Sequence, residues 1–204
     1  MKSNTTFNNS NSQQSETITE VLLTNLIKAK KELKEISSII VTNGPGNFTS
    51  IRVGVSFALG IAKGICVPLY ALSSLELLSI FNEKNNFFNK KLISVMPSRG
   101  NEIFVQEFND SCLSDSEILK IKNLDLKKNF SPDKYFISFC SFQKENLNLF
   151  DYDFVEREFE DMSLNLVSKV KKKKINLTEL KSINYFSEPS LEKVNSSWLM
   201  KHKK

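Results

Sequence analysis

The sequence predicts an α/β fold, a mixed sheet joined by crossover helices. Three observations predict it. Residues 15–82 alternate helix-like and strand-like patterns. The first strand candidate there, residues 37–42, is a short β-branched apolar run, as in strands covered on both faces. Gly44-Pro45-Gly46 separates one such strand from the helix that follows it. That alternation implies parallel strands with crossover helices.

The elements follow in order. Ser15 and Glu16 are an N-cap candidate with an acid in the first turn. Ile18, Leu22, Leu26 and Leu33 then share one face at helical spacing, with Val21 and Ala29 beside them, which predicts a helix over about 16–34. Residues 37–42 (Ser-Ser-Ile-Ile-Val-Thr) read as a buried strand that the glycine turn breaks. Ile51, Val55, Leu59, Ile61 and Ala62 predict a helix over about 49–63, with Gly64 in the C′ position that ends it. Val67 to Leu72 is a second strand, and Ser73 and Ser74 cap a third helix carrying Leu75, Leu78, Ile80 and Phe81. Lys91–Met96 and Glu102–Phe108 flank turn residues Pro97 to Asn101 and predict a hairpin. Beyond it the pattern weakens: Tyr135–Cys140 is the best strand candidate, and Phe159–Val170 reads as a helix with Leu164, Leu166 and Val167 apolar. The expected organisation is a leader or strand remnant over 1–14 (Thr5 to Phe7), an α/β subdomain over 15–108, and a smaller α/β subdomain with a basic tail over 109–204.

Composition excludes several function classes. With 40% apolar and 25% charged residues among 204, the chain has the balance of a soluble globular protein. No run reaches 18 apolar residues, and Met1 to Thr6 has no apolar signal core, so a cytoplasmic protein without membrane spans is expected. Cys66, Cys112 and Cys140 have no CxxC spacing, which supports neither a disulfide framework nor a zinc site. The one histidine, His202, lies in the tail and leaves Ser-His-Asp or Cys-His catalysis without a base. The net charge of +5 favours acidic partners, but much of it sits in Lys171–Lys174 and Lys201–Lys204, and such runs are more often solvated than binding.

The glycine turn carries the main functional signal. Glycine permits positive φ and close approach. A helix start offers free N–H groups and partial positive charge to an anion. Gly44, Gly46, Asn47, Thr49 and Arg52 are therefore candidates for a nucleotide- or phosphate-facing loop. A plain tight turn explains the same residues, and neither a Walker A loop nor GxGxxG is present. Glu76 reads first as helix-stabilising and Arg99 first as a surface charge.

The run from Gly44 to Gly54 (GPGNFTSIRVG), then Ala62-Lys63-Gly64, Val67-Pro68 and Leu72 to Glu76 (LSSLE) resembles the GPGSFTGLRIG…AKGL…IP…VSSLEAL block of the TsaB (YeaZ) family. Gln14-Ser15-Glu16 resembles the family's HSE, Ser98 to Phe104 its ARRGEVY hairpin, and Asn184-Tyr185 more weakly its YLR. Pro97 replaces an aspartate of the family pattern, and Ser50 a glycine. The family opens with an IDTS strand and a second strand that residues 1–14 do not show, so the resemblance implies an N-terminally truncated actin-like ATPase (ASKHA, RNase H-like) fold without its first phosphate loop. It further implies a non-catalytic subunit that binds and activates a TsaD-like transferase forming N6-threonylcarbamoyladenosine at position 37 of tRNAs. A kinase-like ATPase or glycoprotease-like peptidase is the alternative in the same superfamily. The implied partners are the TsaD-like transferase, a TsaE-like ATPase in the wider complex and a second copy in a homodimer, with tRNA met mainly through the complex. The implied cofactors are none of the chain's own, with ATP or ADP at the partner interface, and no metal. The family pairs through its first two helices, which makes Leu22, Leu23, Leu26, Ile27, Val55 and Leu59 the interface candidates.

Overall fold

The computed structural model describes residues 14–80, 90–108, 116–140, 147, 151–171 and 177–180. The Thr5–Phe7 strand remnant, Phe81, Cys112, most of the Lys171–Lys174 run, Asn184-Tyr185 and the tail with His202 lie outside these residues.

Two mixed sheets form the frame. In the first, β1 (Ile39–Thr42) pairs in parallel with β2 (Leu69–Leu72), and β2 pairs antiparallel with β8 (Thr178–Glu179). The second has the order β5-β4-β3-β6-β7, built from β3 (Lys91–Pro97), β4 (Glu102–Phe108), β5 (Leu119–Lys122), β6 (Tyr135–Cys140) and β7 (Asp153–Arg157). Its β3–β4 and β4–β5 pairs are antiparallel, while β3–β6 and β6–β7 are parallel. This sheet takes strands from both sides of residue 108, and β8 returns to the first sheet. A division at 108 therefore does not coincide with the sheets.

The helices are α1 (Gln14–Ala29), α2 (Phe48–Gly64), α3 (Ser74–Ser79), the single turn α4 (Leu126–Asn129) and α5 (Phe159–Lys171). The crossover α2 covers one face of the first sheet, where Ala58, Ala62 and Leu69 pack with Ile39, Val41 and Leu59. On the other face Leu72 and Ile40 meet Leu77 and Ile80 from α3 and its end, and Leu166 and Val170 of α5. The same two helices cover the second sheet through Leu75, Leu78, Met162, Phe104, Phe108 and Cys140. Thus α3 and α5 form the layer shared by the two sheets. The far face of the second sheet has its own core, with Ile93, Val105, Ile137 and Phe139 against Leu126, Phe130 and Tyr152.

Helix ends depart from the sequence expectation for one physical reason. The first helix stops at Ala29, short of residue 34, because Lys30 takes a left-handed conformation (φ 54°). Lys30 N–H donates to Ile27 and Lys31 N–H to Leu26, the paired bonds of a Schellman stop. Leu33 then lies in a separate 3₁₀ turn, Leu33–Glu35, and not on α1. The second helix ends in the same way. Gly64 is its last helical residue, and the left-handed position belongs to Cys66 (φ 55°), with Cys66 N–H on Lys63 and Val67 N–H on Ala62. Gly64 is therefore not the C′ residue. Both stops use a non-glycine residue at the position that glycine favours.

Strands β5, β7 and β8 have no counterpart among the sequence expectations. They are short, and apart from the buried Arg157 the positions of β5 (Leu-Lys-Ile-Lys) and β7 (Asp-Phe-Val-Glu-Arg) are exposed or half-buried, which gives little apolar contrast.

Candidate functional site

The glycine turn connects the carboxyl end of β1 to α2. Asn43 N–H extends the β1–β2 ladder to Leu72 (3.1 Å), and Gly44 takes φ 109°, a region that side chains disfavour. The Gly44 carbonyl accepts from Ser74 N–H at 2.7 Å, so the turn also anchors the start of α3. The Gly44–Pro45 peptide is cis. Asn43, Gly44 and Pro45 are buried, and Gly46 is half-buried.

Asn47 is the N-cap of α2. Its Oδ1 accepts the Ser50 N–H at 3.0 Å, so its carboxamide is spent on the helix. Thr49 is exposed. The exposed Arg52 guanidinium stacks on the Phe48 ring, 4.2 Å from its centroid, one turn into the helix. Sequence reasoning left out Asn43 as a candidate, although it is buried at 7% exposure and its Oδ1 has no hydrogen-bond partner. An asparagine just before a Gly-Pro-Gly turn was the available signal.

The next helix start is fully capped. Ser73 Oγ accepts from Glu76 N–H (2.9 Å), and Glu76 Oε2 accepts from Ser73 N–H, a capping box. The helix-stabilising reading of Glu76 therefore holds. Ser73 Oγ also reaches Gln106 Oε1 at 3.4 Å, which links the loop region to the β3–β4 hairpin. Arg99 lies exposed at the tip of that hairpin, where its carbonyl accepts from Glu102 N–H.

The interface candidates separate into three kinds. On α1, which packs beside α2, Leu23 and Ile27 are 52% and 75% exposed, and Leu22 and Leu26 are half-buried. Leu59 is half-buried against the sheet. Val55, on α2, is fully buried and has no surface to offer a partner, which corrects its place among the candidates. The small residues of α2 also divide: Ala58 and Ala62 face the sheet, while a Cβ at Gly54, Gly60 or Gly64 would meet nothing within 4 Å. Among the described residues no group of three or more His, Cys, Asp and Glu side chains could hold a metal ion, and no helix is long and apolar enough to cross a membrane.

Known proteins place this arrangement. The family TsaD, tRNA N6-adenosine threonylcarbamoyltransferase, matches residues 8–107. A tRNA threonylcarbamoyladenosine biosynthesis protein TsaB of Buchnera aphidicola (subsp. Acyrthosiphon pisum) is 28% identical over 120 residues, 52% of each chain. The Bacillus subtilis TsaB is 41% identical over 46 residues, 22% of this chain and 20% of that one. The chain is similar to TsaB proteins over at most about half its length. It matches about half the length of the Buchnera relative. Two solved structures share the fold at 14% identity: YeaZ from Pseudomonas aeruginosa, with TM-score 0.55 over 85% of this chain and 84% of that one, and an uncharacterized protein with similarity to peptidase YEAZ, with TM-score 0.56 over 78% of each. The two-sheet α/β architecture is thus shared with the YeaZ structures.

Proposed function

We propose that this chain is a non-catalytic subunit in the formation of N6-threonylcarbamoyladenosine on tRNA, and that it works by binding and activating a TsaD-like transferase. The relatives are named for that biosynthesis, and the matching family is named for the transferase itself. The observation that carries the partner role is the outer face of α1, where Leu23 and Ile27 are large, apolar and exposed while Leu22 and Leu26 turn inward. Helices apolar beyond one stripe bury a second face. On this reading ATP or ADP enters at the partner interface, and tRNA is met through the complex.

The chain and its cognate TsaD-like transferase, co-expressed, are expected to co-purify. Leu23→Asp and Ile27→Asp place a charge on exposed positions, so they leave the fold intact and break the pairing by at least tenfold in affinity, about 1.4 kcal/mol or more. ATP or peptide hydrolysis by the purified chain alone would sink the non-catalytic reading.

A further inference from the structure

Beneath the α2 N-terminus lies a buried carboxamide, that of Asn43, whose Oδ1 has no hydrogen-bond partner. Ile39 and Val41 of β1 face α2. The ladder continues through Asn43, whose N–H reaches Leu72 as Ile39 N–H reaches Pro68. Side chains alternate along a strand, so Asn43 faces the same side as Ile39 and Val41. As the crossover between parallel β1 and β2, α2 starts over the carboxyl end of β1, so the Asn43 carboxamide is aimed at the α2 N-terminus. There it sits buried, with Oδ1 unpartnered. A buried amide without a partner costs about 1–3 kcal/mol.

The helix end above it supplies unspent donors. Asn47 takes the Ser50 N–H and its carbonyl takes the Ile51 N–H. The Gly46 and Thr49 N–H groups have no hydrogen-bond partner among the described residues. Free N–H groups at the start of a 17-residue helix attract an anion. The two ends of an Asn carboxamide are exchangeable by rotation, which puts its N–H₂ where Oδ1 stands.

We propose that the Asn43–Thr49 turn binds a phosphoryl group, held by the Gly46 and Thr49 N–H groups and by the Asn43 carboxamide turned to donate. The proposal stands independently of the transferase reading, because it concerns the isolated chain.

The test is a titration of the ¹⁵N-labelled full chain with inorganic phosphate and, separately, with ADP, at matched ionic strength. Saturable shifts at the Gly46, Asn47 and Thr49 amides are expected. Equal affinity for the two probes assigns the site to a free phosphoryl group, and ADP binding at least tenfold tighter assigns it to a nucleotide. Asn43→Ala is expected to weaken binding about threefold to tenfold, the loss of one hydrogen bond. Asn43→Asp keeps the shape and adds a negative charge, so it abolishes binding. Absence of saturable shifts with both probes at tens of millimolar overturns the proposal, as does unchanged binding in folded Asn43→Ala and Asn43→Asp variants.

Discussion

At the scale of single residues, the two helix stops give the sharpest test of the backbone. Gly64 is helical and its Cβ position is open, so Gly64→Ala adds helix propensity at no steric cost. A gain of about 0.5–1 kcal/mol is expected. Cys66 holds the left-handed position, so Cys66→Gly relieves strain and is expected to be neutral to stabilising by up to about 1 kcal/mol. If Gly64 were the C′ residue, its alanine variant would lose stability, and thermal melts of the two variants read the difference. These stops also show what the sequence hides. The apolar periodicity of α1 runs on to Leu33, and nothing about Lys30 advertises a stop. The helix ends there because the backbone bonds to Leu26 and Ile27 are made in spite of the side chain. Asn47 and Ser73, by contrast, are residue types that cap helices, and the structure uses both as caps.

Among the elements, α3 is the joint of the molecule. It has six residues, too few to be stable alone, so packing must hold it. A polar row crosses the sheet beneath it, because Gln106, Ser94 and Ser138 are register neighbours on β4, β3 and β6. Ser138 Oγ donates to the Leu78 carbonyl at 2.7 Å, whereas Ser94 Oγ is fully buried and unpartnered. Two serines of equal burial should therefore respond oppositely in denaturant titrations. Ser138→Ala strands a buried carbonyl and is expected to cost about 1–3 kcal/mol, and Ser94→Ala is expected to be neutral or stabilising.

The same three strands carry a surface trio. Glu107 bonds Lys91 at 2.7 Å and Tyr135 at 3.0 Å. The hydrogen bond to Glu107 raises Lys91 above its ordinary value of 10.5. Burial, then the Glu107 bond, raises Tyr135 above 10.0. Both folded values lie above the unfolded ones, so the stability they add is present below pH 10 and lost as pH rises through the raised values. Glu107→Gln should therefore lower the melting temperature at pH 8, with the difference from the parent shrinking above pH 10.5.

For the whole molecule, the first half was more legible than the second. Between residues 15 and 82 the strands are apolar on both faces and the helices are periodic, so period and punctuation agree with the tertiary packing. The β3–β4 hairpin was equally clear from its turn residues. In the second half, β5 and β7 lie at the edges of the sheet and keep charged, solvent-facing positions, which removes the contrast that marks a strand. No local pattern places α3 and α5 between two sheets, because that depends on contacts distant in sequence. The interface reading shows the same limit. The family's pairing through its first two helices placed Val55 and Ile27 among the candidates alike, and only the packing shows that one is fully buried and the other exposed.

On the proposed function, the exposed α1 face serves a TsaD-like transferase. The most direct measurement is the yield of N6-threonylcarbamoyladenosine on tRNA when the cognate transferase is assayed with this chain, with its Ile27→Asp variant, and without either. Modification with the parent chain, and loss of both co-purification and modification with the folded variant, are expected from the proposed function. Full modification without the chain, or equal modification with Ile27→Asp, would contradict it.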